Sequence, residues 1–378
     1  MRRIAVVTGT RAEWGLLAPV CDAIRSRTDL ILELCAGGAH LLSQSSGAAP
    51  TIAEVEAFRH QRLHRFSMQF DGESGRSADA LALGRGVTQC ATIFANIAPD
   101  IVVVLGDRIE AFAAASAASI AGIRVAHIHG GDRAEGVADE AMRHAITKLA
   151  HIHFPASEES AWRIERMGEN PRSIHLVGSP AIDALASIPV ATDAEHRACG
   201  SPDYIFLMHP VGRSNEAEEV DARVVLEALC ARGRVLALSP NSDPGRDGIA
   251  RAIAVQSSRG DRVCGMAYLS RAQFVGLLQH PRVQAIVGNS SAGLIECAAL
   301  RVRAINLGSR QNGRERAGNV IELPLATTDA ALAALDSLPT MMPNGKHPFG
   351  DGGAAPRIAE LLAHCDFSQH PCTKRNMY

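Results

Sequence analysis

Residues 3–15 read RIAVVTGTRAEWG, a short β-branched run that ends in glycine and passes directly into helix-compatible sequence. A strand followed by a tight turn and a helix is typical of a βαβ unit with a parallel sheet. The pattern recurs, and the further strand candidates are 30–38, 101–107, 124–131, 151–157 and 174–180, then 204–210, 234–241, 262–268, 283–291 and 303–309. The alternation predicts an α/β protein with doubly wound parallel sheets.

One passage interrupts this alternation, the Pro-, Ala- and Asp-rich stretch at residues 186–203. A chain of 378 residues is too long for one ordinary core, so we expect this passage to link two domains. The predicted division is an N-terminal Rossmann-like domain at 1–187, a C-terminal Rossmann-like domain at 188–366 and a disordered tail at 367–378.

The overall charge and composition limit the kinds of molecule that the protein is expected to bind. A formal net charge of −2 argues against a nucleic-acid-binding surface. The N-terminus has neither the apolar core of a signal peptide nor a membrane span, and the nine cysteines contain no CxxC pair. We therefore expect a cytoplasmic protein with reduced thiols, no membrane contact and a small-molecule ligand.

The loop after the first strand candidate carries the first chemical signal. Because ligands bind beyond the carboxyl ends of parallel strands, functional residues are expected in such loops. TGTRAEWG, residues 8–15, lacks both the GxGxxG spacing and the GK[ST] of a P-loop, so it supports neither NAD binding nor ATP hydrolysis. Arg11 in this turn suits a phosphate contact, although a surface arginine on the first helix fits the sequence equally well.

Two loops of the second half favour an anion. GNSSAGLIE, residues 288–296, is predicted to open a helix and to offer backbone donors and two hydroxyls to an anion. An ordinary N-cap by Ser290 or Ser291 is the alternative. Three arginines follow the next strand, and together the two loops predict a diphosphate site: Arg310, Arg314 and Arg316.

HIHGGDRAEGVADEAMRH, residues 127–144, is the densest charged stretch. His127 and His129 are two apart on a predicted strand, hence on one face, and a strand HxH begins the site of some metal-dependent hydrolases. Against a metal, the other loops offer mainly Ser, Asn and Arg. A solvated helix start with acidic residues at its N-terminus remains the plain alternative.

Taken together and in order, these motifs resemble the UDP-N-acetylglucosamine 2-epimerase family, specifically its hydrolysing branch. The motifs that carry the resemblance are GTRAEWGLL, GGAHLL, LGDRIEAF, the stretch from His127 to Phe154, MGE, GSPAID, HP, PNSDPGRDGI, GNSSAGLIE and NLGSRQNGRE. The resemblance implies a GT-B-like fold of two Rossmann-like domains facing a central cleft, with UDP held mainly by the second domain. It also implies UDP elimination to a glycal, water addition, no metal or other cofactor, and a homodimer or tetramer.

The resemblance also assigns roles to matching residues. It implies UDP contacts by Arg11, Arg108, His209, Asn241, Ser290, Ser291, Glu296 and Arg310. It implies chemistry at the sugar by His40, Asp107, His129, Asp132, Asp139 and Arg143. Asp107 and Asp139 are the candidates for proton transfer, and Asp139 is expected at a helix N-terminus with Arg143 one turn later.

The chain departs from the family pattern on the sugar side. Family members that act on UDP-N-acetylglucosamine often have glutamate at the positions of His129 and Asp132. The loop 131–139 is one residue longer here, and Ala292 stands where a small polar residue is common. A modified sugar such as a 2,4-diacetamido-trideoxy hexose therefore stays open. So do the non-hydrolysing epimerase reaction and a diverted member that forms a glycosidic bond on a phosphosugar, for example to a nucleobase.

Overall fold

The computed structural model describes residues 1–43, 50–58, 62–73, 75–133, 139–241, 243–260, 262–324, 326–339 and 347–377, without the side chain of Asp139. These residues form two compact units. The first takes the described residues within Met1–Asp132, Ala138–Asp183 and Phe349–Tyr378, and the second takes those within Arg133–Val137 and Ala184–Pro348.

The first unit is a parallel sheet with helices on both faces. Its strands are β1 (Arg2–Thr8), β2 (Leu30–Gly37), β3 (Leu63–Phe66), β4 (Ile101–Leu105), β5 (Arg124–Ile128) and β6 (Ile152–Phe154). Its helices up to Asp183 are α1 (Arg11–Arg25), α2 (Ile52–Ala57), α3 (Arg76–Ile97), α4 (Ile109–Ile120), α5 (Asp139–Leu149) and α6 (Glu158–Arg166).

The second unit repeats the same plan. Its strands are β7 (Tyr204–Leu207), β8 (Val235–Leu238), β9 (Val263–Met266), β10 (Ala285–Gly288), β11 (Arg303–Leu307) and β12 (Val320–Leu323). Its helices are α7 (Asp193–Ala198), α8 (Asn215–Arg232), α9 (Arg246–Ser258), α10 (Arg271–Leu278), α11 (Glu296–Ala299) and α12 (Thr328–Asp336).

Both sheets have the strand order of a dinucleotide-binding fold. The orders are β3-β2-β1-β4-β5-β6 and β12-β11-β10-β7-β8-β9, and the second becomes the first when its strands are renumbered from β7. Each sheet therefore has one switch point, between β1 and β4 in the first unit and between β7 and β10 in the second. Ligands of open parallel sheets bind outside the strand ends at this point.

The first strand and helix form as the sequence predicts. Ile4 and Val6 of β1 are fully buried in one layer of core, and Ala5 and Val7 pack into the opposite layer. Thr10 ends the turn as a side-chain N-cap of α1, because its hydroxyl accepts from the Glu13 N–H while the Glu13 carboxylate accepts from the Thr10 N–H. This capping box fixes where the strand stops and the helix begins.

The predicted domain division is wrong at its C-terminal end. The last helix, α13 (Ala354–His364), belongs to the first unit, where Ile358 and Leu362 pack in the same core cluster as Leu17 of α1. The Asp183 carboxylate also accepts from the backbone N–H groups of the first two residues of α13, at 3.0 and 2.5 Å. The chain thus returns to its first sheet, so the second unit ends before α13.

The tail beyond residue 366 makes specific contacts, contrary to the prediction of disorder. Arg124 stacks on the Phe367 ring at 3.9 Å and donates to the His370 carbonyl at 2.8 Å. The Lys374 ammonium donates to three backbone carbonyls at the end of α5, and the Met377 N–H donates to the Gly168 carbonyl. The tail is therefore a strap on the first unit.

Three strand assignments differ from the sequence-based ones. The edge strands β3 and β12 were not predicted, and residues 174–180 form no strand but only an isolated bridge from Ile174 to His153. The edge strands are short and only partly buried, so they lack the apolar run that marked the central ones. Within the described ranges, no helix is both long and apolar enough to cross a bilayer.

Candidate functional site

A buried carboxylate pair lies at the switch point of the first unit. Glu13 accepts from the Gly9 N–H at 2.8 Å, and Glu110 of α4 is fully buried and accepts from Gln69 Nε2 at 3.0 Å. A Cβ on Gly9 would lie 2.3 Å from the Glu110 Cβ, so only glycine fits there. Burial and the nearby Glu110 charge raise the pKa of Glu13 to about 7.

Arg108 and Arg11 lie beside this pair. Arg108 Nε is 3.7 Å from Glu110 Oε2, and Arg108 is the residue before α4. Arg11 is the first residue of α1 and is partly exposed. Both arginines were predicted to contact UDP, and both lie in the first unit at the strand-end loops.

His40 was predicted to take part in the chemistry at the sugar, but its surroundings favour a structural role. It is fully buried, with Nε2 3.0 Å from the Thr8 hydroxyl and Nδ1 2.9 Å from the Thr51 hydroxyl. Burial, helped by the charge of Arg11, lowers the pKa of His40 to about 4. His40 is thus a neutral ring whose two nitrogens tie the loops after β1 and β2 together.

Asp107 and Arg143 form an ion pair beyond β4. The buried Arg143 guanidinium of α5 donates to the Asp107 carboxylate, to Glu140 Oε2 at 2.8 Å and to the Asp132 carbonyl at 3.0 Å. Asp107 keeps 22% of its side chain exposed, against 3% for Asp132. Of these two predicted acid/base residues, Asp107 is the more accessible to a substrate.

The two histidines of HIHGGD do not share a strand face. His127 lies on β5 inside the core, where its Nε2 donates to the Gly106 carbonyl at 2.8 Å. Burial lowers the pKa of His127 to about 3. His129 lies past the end of β5 with a left-handed φ of +63°. Because the chain turns between them, the expected HxH face is absent from this described segment.

His129 is held between Asp132 and Ser179. Its Nδ1 lies 2.8 Å from Asp132 Oδ2 and its Nε2 lies 2.8 Å from the Ser179 hydroxyl. Asp132 Oδ1 accepts from the Ser160 hydroxyl at 2.8 Å. Both ring nitrogens are thus used within the protein, and this buried chain of contacts fixes the turn after β5. The role of His129 and Asp132 at the sugar stays a prediction.

Asp139 begins α5, as predicted, and Arg143 follows one turn later. The side chain of Asp139 and residues 134–138 lie outside the described residues.

In the second unit, His209 follows β7 at the switch point. The backbone N–H and carbonyl of His209 both form hydrogen bonds with the side-chain amide of Asn289. The Nδ1 of His209 accepts from the Asn241 N–H at 3.1 Å. The Asn241 side chain donates to Asp243 Oδ2 at 2.6 Å. His209 and Asn241, two predicted UDP contacts, are therefore joined to each other.

The GNSS loop is not the start of a long helix. Ser290 caps a single 3-10 turn, Ser291–Gly293, and α11 has only four residues and starts at Glu296. Glu296, the last residue of the stretch predicted to open a helix, is instead the first residue of α11. An anion here would rely on loop donors and nearby cations, since so short a helix has little dipole.

The arginines after β11 separate into two roles. Arg310 donates to the Asn289 carbonyl at 3.2 Å, next to the GNSS loop. Arg316 instead pairs with Glu322 at 2.5 Å and donates to the carbonyls of Gln311 and Arg314. Arg316 therefore stabilises its own loop, and its part in a diphosphate site stays a prediction.

Several residues at these loops were missed by the sequence reasoning. They are Glu13, Glu110, Arg271, which lies 3.7 Å from Glu296 Oε1, and Asn289. Glu13 was detectable as the third residue after Thr10 in a capping box. The burial of Glu110 and the contacts of Asn289 depend on the fold and gave no local signal. Among the described residues, no three His, Cys, Asp or Glu side chains group as metal ligands would.

Comparison with known proteins agrees with the motif set. A model of the family described as UDP-N-acetylglucosamine 2-epimerase matches residues 22–363. The chain belongs to this epimerase family. It is 34% identical over 385 residues, covering all of both chains, to a Legionella pneumophila protein named UDP-N,N'-diacetylbacillosamine 2-epimerase (hydrolyzing). It is 32% identical to a Neisseria meningitidis UDP-N-acetylglucosamine 2-epimerase, over 86% of this chain and 85% of that one.

Solved structures place this epimerase-family chain in its fold class. An S. aureus MnaA–UDP co-structure matches with a TM-score of 0.80 at 17% identity, over all of both chains. The UDP-GlcNAc 2-epimerase of Neisseria meningitidis bound to UDP-GlcNAc matches with a TM-score of 0.79 at 20% identity, over 96% of this chain and 99% of that one. The predicted GT-B-like class with two Rossmann-like units is confirmed.

Proposed function

We propose that the protein is a hydrolysing UDP-sugar 2-epimerase, which converts a UDP-acetamido sugar and water into UDP and the free 2-epimeric sugar. The observation that carries the proposal is the full-length similarity, at 34% identity, to a relative whose name specifies the hydrolysing reaction. The site residues support it, because the loops of the second unit carry a guanidinium and hydrogen-bond donors for a diphosphate, and those of the first unit carry the partly exposed carboxylate of Asp107.

UDP binding is assigned to the second unit. Its strand-end loops carry the cation Arg310, the imidazole His209, and the hydroxyls of Ser290 and Ser291. Guanidinium groups and loop N–H donors are suited to a diphosphate, and they stabilise the charge that develops on it as it leaves. Glu296 is assigned to a ribose hydroxyl and Asn241 to the positioning of His209.

Proton transfer at the sugar is assigned to the first unit, to Asp107 and Asp139. In the first half-reaction one carboxylate takes the C2 proton while the C1–O bond breaks, and UDP departs with the electron pair to leave a glycal. In the second half-reaction the oxygen of water bonds to C1 while a carboxylate takes one of the water protons, and a carboxylic acid returns a proton to C2 on the opposite face. Arg143 orients Asp107 through their ion pair.

The remaining first-unit residues support this site. His129 and Asp132 hold the turn after β5 through each other and through serines, and His40 joins two strand-end loops. Arg11 and Arg108 place positive charge beside the buried Glu13 and Glu110.

We infer that the sugar is a 2,4-diacetamido-trideoxy hexose. The relatives from Legionella pneumophila and Campylobacter jejuni, at 34% and 27% identity, are both named for N,N'-diacetylbacillosamine. The proposal also fits the residues at positions 129 and 132, which differ from the glutamates common in members that act on UDP-N-acetylglucosamine.

The test is incubation with UDP-N,N'-diacetylbacillosamine and, separately, UDP-N-acetylglucosamine in deuterated water. We expect release of UDP and of a free 2-epimeric sugar with deuterium at C2, faster with the diacetamido substrate. A product that retains UDP would replace the hydrolysing reaction with the non-hydrolysing one. No turnover of either sugar nucleotide would overturn the proposal and favour glycosidic-bond formation on a phosphosugar. We further propose a homodimer or a dimer of dimers, which light scattering tests.

A further inference from the structure

The ladder between the two central strands of the second sheet ends abruptly at the switch point. The last paired residues of β7 and β10 are Leu207 and Gly288, and the Asn289 N–H still donates to the Leu207 carbonyl at 3.2 Å. At Gly288 φ is +148°, and a Cβ there would lie 1.9 Å from the Leu207 carbonyl oxygen. The backbone therefore bends away at Gly288, and ordinary ladder pairing stops.

The side chain of Asn289 continues the pairing where the backbone cannot. Its Oδ1 accepts from the His209 N–H at 2.7 Å and its Nδ2 donates to the His209 carbonyl at 2.8 Å. Only one orientation of the amide satisfies both groups, because an N–H needs an acceptor and a carbonyl needs a donor. Asn289 is 2% exposed, so both bonds are shielded from water.

The backbone of the same residue holds the third loop. The Asn289 carbonyl accepts from Arg310 Nη1 at 3.2 Å and from Gln311 Nε2 at 2.9 Å. Asn289 thus connects the loops after β7, β10 and β11.

The fourth loop reaches this cluster through His209. The Asn241 N–H donates to His209 Nδ1 at 3.1 Å, and a nitrogen that accepts a hydrogen bond carries no hydrogen of its own in the neutral ring. The hydrogen of neutral His209 is therefore on Nε2, and the ring presents a donor N–H on that side. A donor is what an oxygen of a leaving diphosphate requires.

We propose that Asn289 is the positioning residue for diphosphate binding in the second unit. It fixes the backbone of His209 so that this histidine stays in the Nε2–H form, and its carbonyl orients the Arg310 guanidinium. This inference rests on the proposed assignment of UDP to the second unit, and it adds the residue on which the geometry of that site depends.

Asn289→Leu is the decisive variant, since leucine is similar in size but can make neither bond to His209. Asn289→Ser is the milder one, because it is neutral and keeps a hydroxyl. The matched control is Tyr204→Phe, which removes a hydrogen bond from the buried Tyr204 to Gln284 Oε1 at the opposite end of β7. It tests the effect of losing a partly buried polar contact away from the site.

Two readouts separate a positioning role from a general loss of stability. In titration calorimetry we expect Asn289→Leu to weaken UDP binding about 10- to 100-fold, the equivalent of losing a buried hydrogen-bonded pair. Tyr204→Phe should change UDP affinity by less than about twofold. In ¹⁵N-histidine NMR, with His209 assigned from a His209→Gln variant, the wild type should show the Nε2–H form and Asn289→Leu a mixture of tautomers.

The two proposals fail in different ways. If wild-type protein does not bind UDP, the proposed function is wrong. The tautomer of His209 and its response to Asn289→Leu would still test whether Asn289 positions His209. If Asn289→Leu and Asn289→Ser bind UDP as tightly as Tyr204→Phe does, or leave the His209 spectrum unchanged, Asn289 is not the positioning residue. If Asn289→Leu does not fold, Asn289→Ser decides the same two measurements.

Discussion

Lys374 of the C-terminal strap is expected to stabilise the first unit strongly although it is only four positions from Tyr378, the last residue of the sequence. Its ammonium donates to the carbonyls of Ala150, Lys148 and Thr147 at 2.6, 2.7 and 3.1 Å. It also pairs with Glu169 at 2.5 Å. One cation therefore caps the C-terminal end of α5, the helix that begins at Asp139 and carries Arg143.

Lys374→Met removes these bonds and keeps the aliphatic stem. Glu169 would still have Lys148 at 2.6 Å and His153 at 3.1 Å, so no buried charge is left unpaired. The loss is then one charged helix cap and one ion pair, which we estimate at about 2–3 kcal/mol. Lys374 is 22% exposed, so water does not replace the lost bonds fully.

Urea unfolding followed by tryptophan fluorescence measures this loss. Both tryptophans of the chain, Trp14 and Trp162, lie in the first unit, so the signal reports that unit alone. Arg375→Met is the matched control, because Arg375 is the next residue of the strap and is exposed. If Lys374→Met and Arg375→Met lower the free energy of unfolding equally, the strap does not stabilise the first unit through α5, and the reasoning from these contacts is wrong.

Two further predictions concern the first unit. Asp107→Asn and Asp139→Asn should each lower turnover about 10²- to 10⁴-fold with little change in UDP affinity, since each removes a proposed proton acceptor; equal losses in binding and rate would make the carboxylate structural. His40 is neutral in the folded protein with a pKa of about 4, whereas the unfolded chain binds a proton below its ordinary value of 6.5. The stability that neutral His40 contributes is therefore present above pH 6.5 and is lost as pH falls. Between pH 7 and pH 5 the free energy of unfolding, measured with urea, should fall by about 2 kcal/mol more in the wild type than in His40→Gln. Parallel plots of this free energy against pH for the two proteins would contradict the prediction.

The sequence predicts the central strands because they are apolar on both faces, and parallel strands bring their following loops to one edge. That geometry sufficed to place Asp107, His209 and Arg310 in strand-end loops. It could not predict the partners of His129, because Ser179 lies 50 positions away and meets it only in the folded turn. Nor could it assign α13, since an amphipathic helix near the C-terminus carries no signal of which sheet it will cover.

The two units share one strand order but differ in what they place at the switch point. The first buries two carboxylates there, Glu13 and Glu110, and the electrostatic cost is visible in the raised pKa of Glu13. The second places a neutral amide, Asn289, between His209 and Arg310. A diphosphate would be repelled by buried carboxylates and attracted by a guanidinium and an imidazole N–H. Arg108, 3.7 Å from Glu110 Oε2, offsets part of the charge in the first unit, and the proposed proton-transfer residues of that unit, Asp107 and Asp139, are not members of the Glu13–Glu110 pair. The residues at the second switch point therefore favour a diphosphate on electrostatic grounds that are independent of the family resemblance.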